Sequence, residues 1–208
     1  MPVMITIIDI GMGNLGSIVN MLEKIKVKAV ISSYENDIFK AEKLILPGVG
    51  SFDNAMKNLN DMHLISILNS RVNEDKIPIL GICLGIQLFT RQSEEGVLPG
   101  LGWIDATTVK FKFNGENAKL KVPHMGWNTV NLKRDNSLYC GLLNEPRFYF
   151  VHSYHIICNN THDILSTTHY GYDFVSSIQS GNIYGTQFHP EKSHKFGMKV
   201  LQNFAEIG

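Results

Sequence analysis

Cysteine is scarce in this chain. Three occur in 208 residues (Cys83, Cys140 and Cys158), an odd number too widely spaced for a disulfide framework. An excess of either charge is also missing. Lys plus Arg and Asp plus Glu are 19 each, so nothing draws the chain broadly to a nucleic-acid backbone or an anionic membrane. No apolar run reaches the about 18–20 residues that cross a bilayer. Residues 1–11 have no basic leading region and hold Asp9 within their apolar run, unlike a secretory signal. Repeats and low-complexity stretches are absent, and the composition excludes disorder, collagen and coiled coil. What is present is a 44 % apolar chain, enough for a substantial core. The expectation is one cytoplasmic globular domain spanning residues 1–208.

The first half alternates β-type runs with helical spacing. Strands are expected over 5–10, 28–32, 43–46 and 77–82. Between them, Ile18, Met21, Leu22 and Ile25 mark one helix face, and Phe52, Ala55, Met56 and Leu59 another. A short helix is expected over 84–90. Strand–helix alternation implies right-handed crossovers and a mainly parallel sheet. After Trp103 the rhythm changes. Strands at 109–113, 128–132, 148–152 and 183–188 have few helices between them and suggest antiparallel additions. A last helix over 197–204 turns Met198, Leu201 and Phe204 inward. The expected fold is a three-layer α/β domain.

Gly81-Ile82-Cys83-Leu84-Gly85 stands at a change from strand to helix. Glycines on either side of a nucleophile allow the sharp turn that presents it above a sheet. A helix N-terminus favours the thiolate. The alternative is a buried cysteine that fills space. Cys140, in an expected turn, and Cys158, near a strand end, carry no such context. A thiol nucleophile needs a base, and His189 opens His189-Pro190-Glu191 after an apolar strand. In extended backbone, residues two apart project to one side, so Glu191 could orient the imidazole and leave its other nitrogen for the sulfur. For an oxyanion, the amide of Leu84 is available, and Pro47-Gly48-Val49-Gly50 could supply a second; an ordinary strand-to-helix turn explains those glycines equally well.

Taken together, these residues resemble the class I, triad-type glutamine amidotransferases, and within them the glutaminase subunits of imidazole glycerol phosphate synthase. The likeness covers nearly the whole chain. Its motifs run in order: Asp9-Ile10-Gly11-Met12-Gly13-Asn14-Leu15, then Pro47-Gly48-Val49-Gly50, the Cys83 segment continuing to Gln87, and Ser93-Glu94-Glu95-Gly96. Val122-Pro123-His124-Met125-Gly126-Trp127-Asn128, Tyr149-Phe150-Val151-His152-Ser153-Tyr154 and Gln187-Phe188-His189-Pro190-Glu191-Lys192-Ser193 follow.

The resemblance implies a Cys83–His189–Glu191 triad, with backbone amides of Gly50 and Leu84 forming the oxyanion hole, helped by a peptide flip in the 47–50 loop. It implies glutamine binding by Gln87, Glu95, Ser153 and Tyr154. Asn14, Met125, Trp127, Tyr149 and Lys192 would lie at or near a face that docks a partner, although Trp127 also reads as a core aromatic and Lys192 as a solvated charge. His124 and His152 read as structural. The implied partner is a (β/α)8 cyclase barrel that takes up ammonia and makes imidazole glycerol phosphate and an aminoimidazole carboxamide ribonucleotide. Glutaminase activity in the family is low until that barrel binds its own ligand. No metal or organic cofactor is implied. The motifs run from Asp9 to Ser193, leaving no room for an ammonia acceptor on this chain. Ile10 and Gly16 stand where tyrosine and arginine are usual, His155 replaces an aromatic, and Thr168-His169-Tyr170-Gly171 is a variant stretch. These departures leave open a paralogue that amidates a surface-polysaccharide sugar.

Overall fold

Strands that are apolar on both faces need cover on both faces, and the first half of the chain supplies it. The computed structural model describes residues 4–142 and 145–207, so the first three residues of the N-terminal segment lie outside it. In chain order the elements begin with β1 (Met4–Ile8), α1 (Leu15–Lys24), β2 (Lys28–Ser32), α2 (Glu35–Phe39), β3 (Lys43–Gly48), α3 (Phe52–Asp61) and α4 (Leu64–Asn69). There follow β4 (Ile79–Cys83), α5 (Leu84–Leu88), β5 (Gln92–Ser93), β6 (Ala106–Lys110), β7 (His124–Thr129) and β8 (Asn131–Leu132). The chain ends with β9 (Arg147–His152), β10 (Tyr154–Cys158), β11 (Ile164–Tyr170), β12 (Tyr172–Ser180), β13 (Ile183–Thr186) and α6 (His194–Glu206).

The main sheet runs β2-β1-β3-β4-β13-β12-β10-β6-β5, with β11 on β12 and β8 on β11. The pairs from β2 through β13 are parallel, and β12 then pairs antiparallel with β13. Strand alternation divides the core. Leu44 and Leu46 of β3 face one side with Phe52, Leu59, Leu68 and Ile86. Ile45 faces the other, with Ile18 and Leu22 of α1 and Leu201 and Phe204 of α6. Helices therefore cover both faces of the parallel part, giving the expected three-layer α/β architecture with antiparallel additions. A separate two-stranded ribbon, β7 with β9, pairs Trp127 with Tyr149 and His124 with His152. No helix among the described residues is long and apolar enough to cross a membrane.

Several boundaries differ from expectation. The strand expected at 109–113 is β6, which ends at Lys110; the misleading alternation comes from Phe111 and Phe113, whose rings stack 5.4 Å apart. The run expected at 128–132 divides into the end of β7 and β8. Strands β5, β11 and β12 were not expected, and β10 was anticipated only as a strand end near Cys158; β11 and β12 bury the polar Ser166, Thr168, Ser176 and Ser177. The last helix begins at His194 rather than 197. Gly197 is no boundary; it permits close packing, since a Cβ there would stand 1.8 Å from the Pro190 carbonyl oxygen. Met198 is only half-buried, whereas Leu201 and Phe204 are fully inside. The far end of α6 is held by Lys43 at the start of β3: its buried Nζ donates to the carbonyls of Phe204, Ala205 and Ile207, satisfying groups a helix terminus leaves open.

Candidate active site

The chain passes from β4 into α5 at a single residue. Cys83 takes φ 55° and ψ −104°, a conformation that costs a side-chain-bearing residue about 1–3 kcal/mol. The strain falls on the cysteine itself. The flanking glycines serve a different purpose, which is space. A Cβ on Gly85 would meet the Leu46 carbonyl oxygen at 1.9 Å; one on Gly81 would stand 2.6 Å from the Phe89 ring and 2.8 Å from the Gly85 backbone. Close packing of α5 on β3 and β4 thus needs glycine at both places, and it lifts Cys83 to the wall of a cavity of about 300 Å³.

His189 arrives from β13. Phe188 beside it is stacked on Phe148 at 3.9 Å, and the His189 amide donates to the Tyr149 carbonyl at 2.9 Å. Its Nδ1 lies 2.7 Å from Glu191 Oε1. The extended geometry expected for this pair is not how the contact is made: Pro190–Lys192 is a 3-10 turn, which folds the carboxylate back to the ring. Ser193 locks the turn by donating to the His189 carbonyl at 2.6 Å and accepting from the Tyr149 amide at 3.0 Å. Nε2, the other ring nitrogen, is buried and has no partner of full hydrogen-bond geometry among the described residues. Burial alone would lower the imidazole pKa, but the charge and hydrogen bonding of Cys83, then of Glu191, outweigh it and raise the pKa to about 10. Cys83 and His189, 106 positions apart, are therefore electrostatic neighbours.

The cavity wall also includes Gly50, Leu84, Gln87, Glu95, Ser153 and Tyr154. Every residue expected to bind substrate or to offer an oxyanion amide lies around the Cys83 sulfur. Gly50 has φ +110°, a conformation that side-chain-bearing residues rarely adopt, so the 47–50 loop requires glycine there. Glu95 accepts from the Phe52 amide at 2.9 Å; desolvation raises its pKa against that hydrogen bond, and nearby Asp53 adds to the rise.

Of the residues expected at a partner face, Met125, Trp127, Tyr149 and Lys192 lie on or beside the β7–β9 ribbon, and none of them lines the Cys83 cavity. Tyr149 carries Lys192 Nζ 5.8 Å above its ring, and Trp127 stacks on His194 at 5.3 Å with an interplanar angle of 3°. Trp127 is 40 % exposed and Met125 62 %, so Trp127 is not the core aromatic its type allows. Met125 lines a second depression, which shares Pro123 with the first cavity. Asn14 caps α1 by accepting from the Ser17 amide at 3.3 Å.

Two neighbours of the sulfur, Val151 and Gln187, had no assigned role in the sequence, and His152, read there as structural, lines the cavity. The Val151 carbonyl lies 3.8 Å from Sγ, as does the Gln187 side-chain amide nitrogen. Gln187 sits two residues before His189 on an extended segment, and that alternation was the available signal. His152 Nδ1 donates to the Tyr154 carbonyl at 2.7 Å, so its Nε2 must accept from His124 Nδ1 at 3.0 Å. Desolvation holds both rings neutral, His124 at a pKa of about 4 and His152 well below the usual value.

The family profile for class-I glutamine amidotransferases matches residues 6–207. An imidazole glycerol phosphate synthase subunit HisH 2 of Methanococcus maripaludis is 57 % identical over 201 residues, covering 97 % of this chain and 98 % of the relative. The chain belongs to the HisH family of class I glutamine amidotransferases. A HisH 2 subunit of Pseudomonas aeruginosa is 46 % identical over 98 % of this chain and all of its own length. The fold agrees. A crystal structure of a glutamine amidotransferase superposes with a TM-score of 0.73 at 17 % identity, covering 97 % of each chain. Another glutamine amidotransferase, from Thermotoga maritima, gives 0.65 at 16 %, covering 99 % of this chain and 84 % of its own. HisH-family membership makes the chain an enzyme of the glutamine amidotransferase class, and the cavity around Cys83 is its candidate active site.

Proposed function

We propose that this HisH-family chain is the glutaminase subunit of imidazole glycerol phosphate synthase, working in histidine biosynthesis in the cytoplasm as one domain, and that Cys83, His189 and Glu191 perform the hydrolysis. Near-full-length identity to HisH relatives favours this reading over the sugar-amidating paralogue. The single observation that carries the assignment is the strained Cys83 on the cavity wall, coupled to an imidazole whose far nitrogen is held by Glu191. In this reading the Cys83 thiolate attacks the side-chain carboxamide carbon of L-glutamine. Amides of Gly50 and Leu84 receive the charge that develops on oxygen. As the C–N bond breaks, the His189 imidazolium gives its proton to the departing nitrogen, leaving ammonia and a γ-glutamyl thioester. The now neutral imidazole takes a proton from water as the water attacks the thioester; collapse expels the thiolate and L-glutamate. Glu191 keeps Nε2 pointed at the sulfur throughout.

Gln87, Glu95, Ser153 and Tyr154 would hold the substrate, with Glu95 suited to its ammonium group. Ammonia is mostly ammonium in neutral water and a poor nucleophile in that form, so a direct transfer to a second chain is favoured. The face formed by exposed Met125 and Trp127 with half-buried Tyr149 and Lys192, together with Asn14 at the head of α1, is the proposed dock for a (β/α)8 cyclase subunit in a heterodimer.

Replacing the nucleophile tests this reading. With the cyclase subunit present, Cys83→Ala reduces glutamine-dependent synthesis to background and leaves ammonia-dependent synthesis unchanged. Retention of glutamine-dependent synthesis, or loss of both, would refute it.

A further inference from the structure

Around the Cys83 sulfur the protein offers two opposite kinds of partner. The Val151 carbonyl, 3.8 Å away, is an acceptor and suits a thiol, which can donate its proton. The Gln187 Nε2 group, also at 3.8 Å, is a donor and suits a thiolate. Gln187 is fully buried, so its side chain gains nothing from water. Its orientation is decided by another amide. Gln87 Nε2 donates to Gln187 Oε1 at 3.1 Å and to the Tyr154 carbonyl at 3.1 Å. Turning the Gln187 amide over would set two N–H groups face to face and press a carbonyl oxygen against the sulfur. The network allows one arrangement, with the N–H toward Cys83.

We propose that Gln187 is a positioning residue for the nucleophile: its side-chain amide, fixed by Gln87, holds the Cys83 sulfur as a thiolate and faces it toward the cavity. This deepens the proposed function and rests on Cys83 being its nucleophile. The same donor would let go when the sulfur becomes an uncharged thioester, because a thioester sulfur is a poor acceptor. It would form again as hydrolysis returns the thiolate. Gln187 thereby acts through Cys83 and touches no part of glutamine.

Alkylation of Cys83 by iodoacetamide in the full-length chain, read on the Cys83 peptide by mass spectrometry across pH, tests the proposal without requiring turnover. Exposed Cys140 in the same sample is an internal control. Gln187→Leu removes the donor and is expected to slow Cys83 alkylation at pH 7 about three- to tenfold, with Cys140 unchanged and the rates converging at high pH. Gln187→Glu sets a carboxylate against the sulfur and slows it more. Equal Cys83 rates in wild type and both variants would overturn the proposal. If the variants do not fold, the intact chain decides: the Gln187 side-chain amide resonance in ¹⁵N spectra moves across the pH step that governs Cys83 alkylation, and a resonance that stays still across that step overturns the proposal. A wild-type Cys83 that resists alkylation at every pH refutes the nucleophile itself, an outcome distinct from reactive but identical wild type and variants.

Discussion

The two halves of the sheet hold their shapes by different means. From β1 to α5 the interior is chiefly aliphatic: Leu44, Leu46 and Ile79 on one face, Ile5, Ile7 and Leu80 on the other. Position there is set by hard contact, as at Gly85, where a single methyl group finds no room. From β6 to β13 the interior holds rings and hydroxyls. Tyr139 OH donates to Ser177 Oγ at 2.7 Å, and Ser166 bonds both Ser177 and Ser176, at 2.5 Å and 2.9 Å. Position there is set by directed hydrogen bonds. The site takes one part from each half: the aliphatic half presents the sulfur under strain, and the polar half aims the imidazole, through Glu191, and the Gln187 amide.

The comparison is broken most severely at the imidazole. Glu191→Gln keeps the shape but removes the charge that fixes His189, and kcat for glutamine hydrolysis in the complex should fall about 10²- to 10⁴-fold. The pH profile carries the sign. With its pKa raised to about 10, His189 keeps its proton through neutral pH and loses it only as pH climbs toward that value, so wild-type activity fails late on the alkaline side. Removing one of the groups that raise the pKa moves the alkaline limb to lower pH. A folding group with a raised pKa also contributes stability that is complete below its ordinary value of 6.5 and is lost as pH rises through about 10. An unchanged alkaline limb in Glu191→Gln would mean that the carboxylate does not set the proton's affinity.

Next in size is Gly85→Ala, which forces a carbon against the Leu46 carbonyl and is expected to cost about 3 kcal/mol or more of stability, read from denaturant unfolding. A tolerated alanine would show that the elbow is softer than a packed aliphatic half allows. The smallest effect belongs to the polar half. Tyr139→Phe deletes one donor from a shared hydroxyl cluster and should cost about 1 kcal/mol by the same measurement. A loss as large as that of Gly85→Ala would erase the distinction between the halves.

The same difference decided what could be read from residues alone. Strands covered on both faces by hydrocarbon appear as apolar runs, so β1, β3 and β4 were legible nearly to their ends. Ser166, Ser176 and Ser177 are buried in partnership with one another or with Tyr139 across strands, and no local pattern in β11 or β12 announces such partners. At the site, the turn at Cys83 and the pairing of His189 with Glu191 were legible because each rests on a short local motif. The 3-10 turn at Pro190–Lys192 was not, because one of the two Ser193 bonds that hold it comes from Tyr149, far away in the chain. Gln187 escaped for a related reason: its purpose depends on the distant Gln87.

The most direct measurement is to trap the bond that the account requires. Incubated with an electrophilic glutamine analogue and digested, the complex with its cyclase partner should carry the adduct on the Cys83 peptide, in one equivalent per chain, with glutaminase activity lost in proportion. Label found on Cys140 or Cys158 instead, or full activity after Cys83 is labelled, would contradict it.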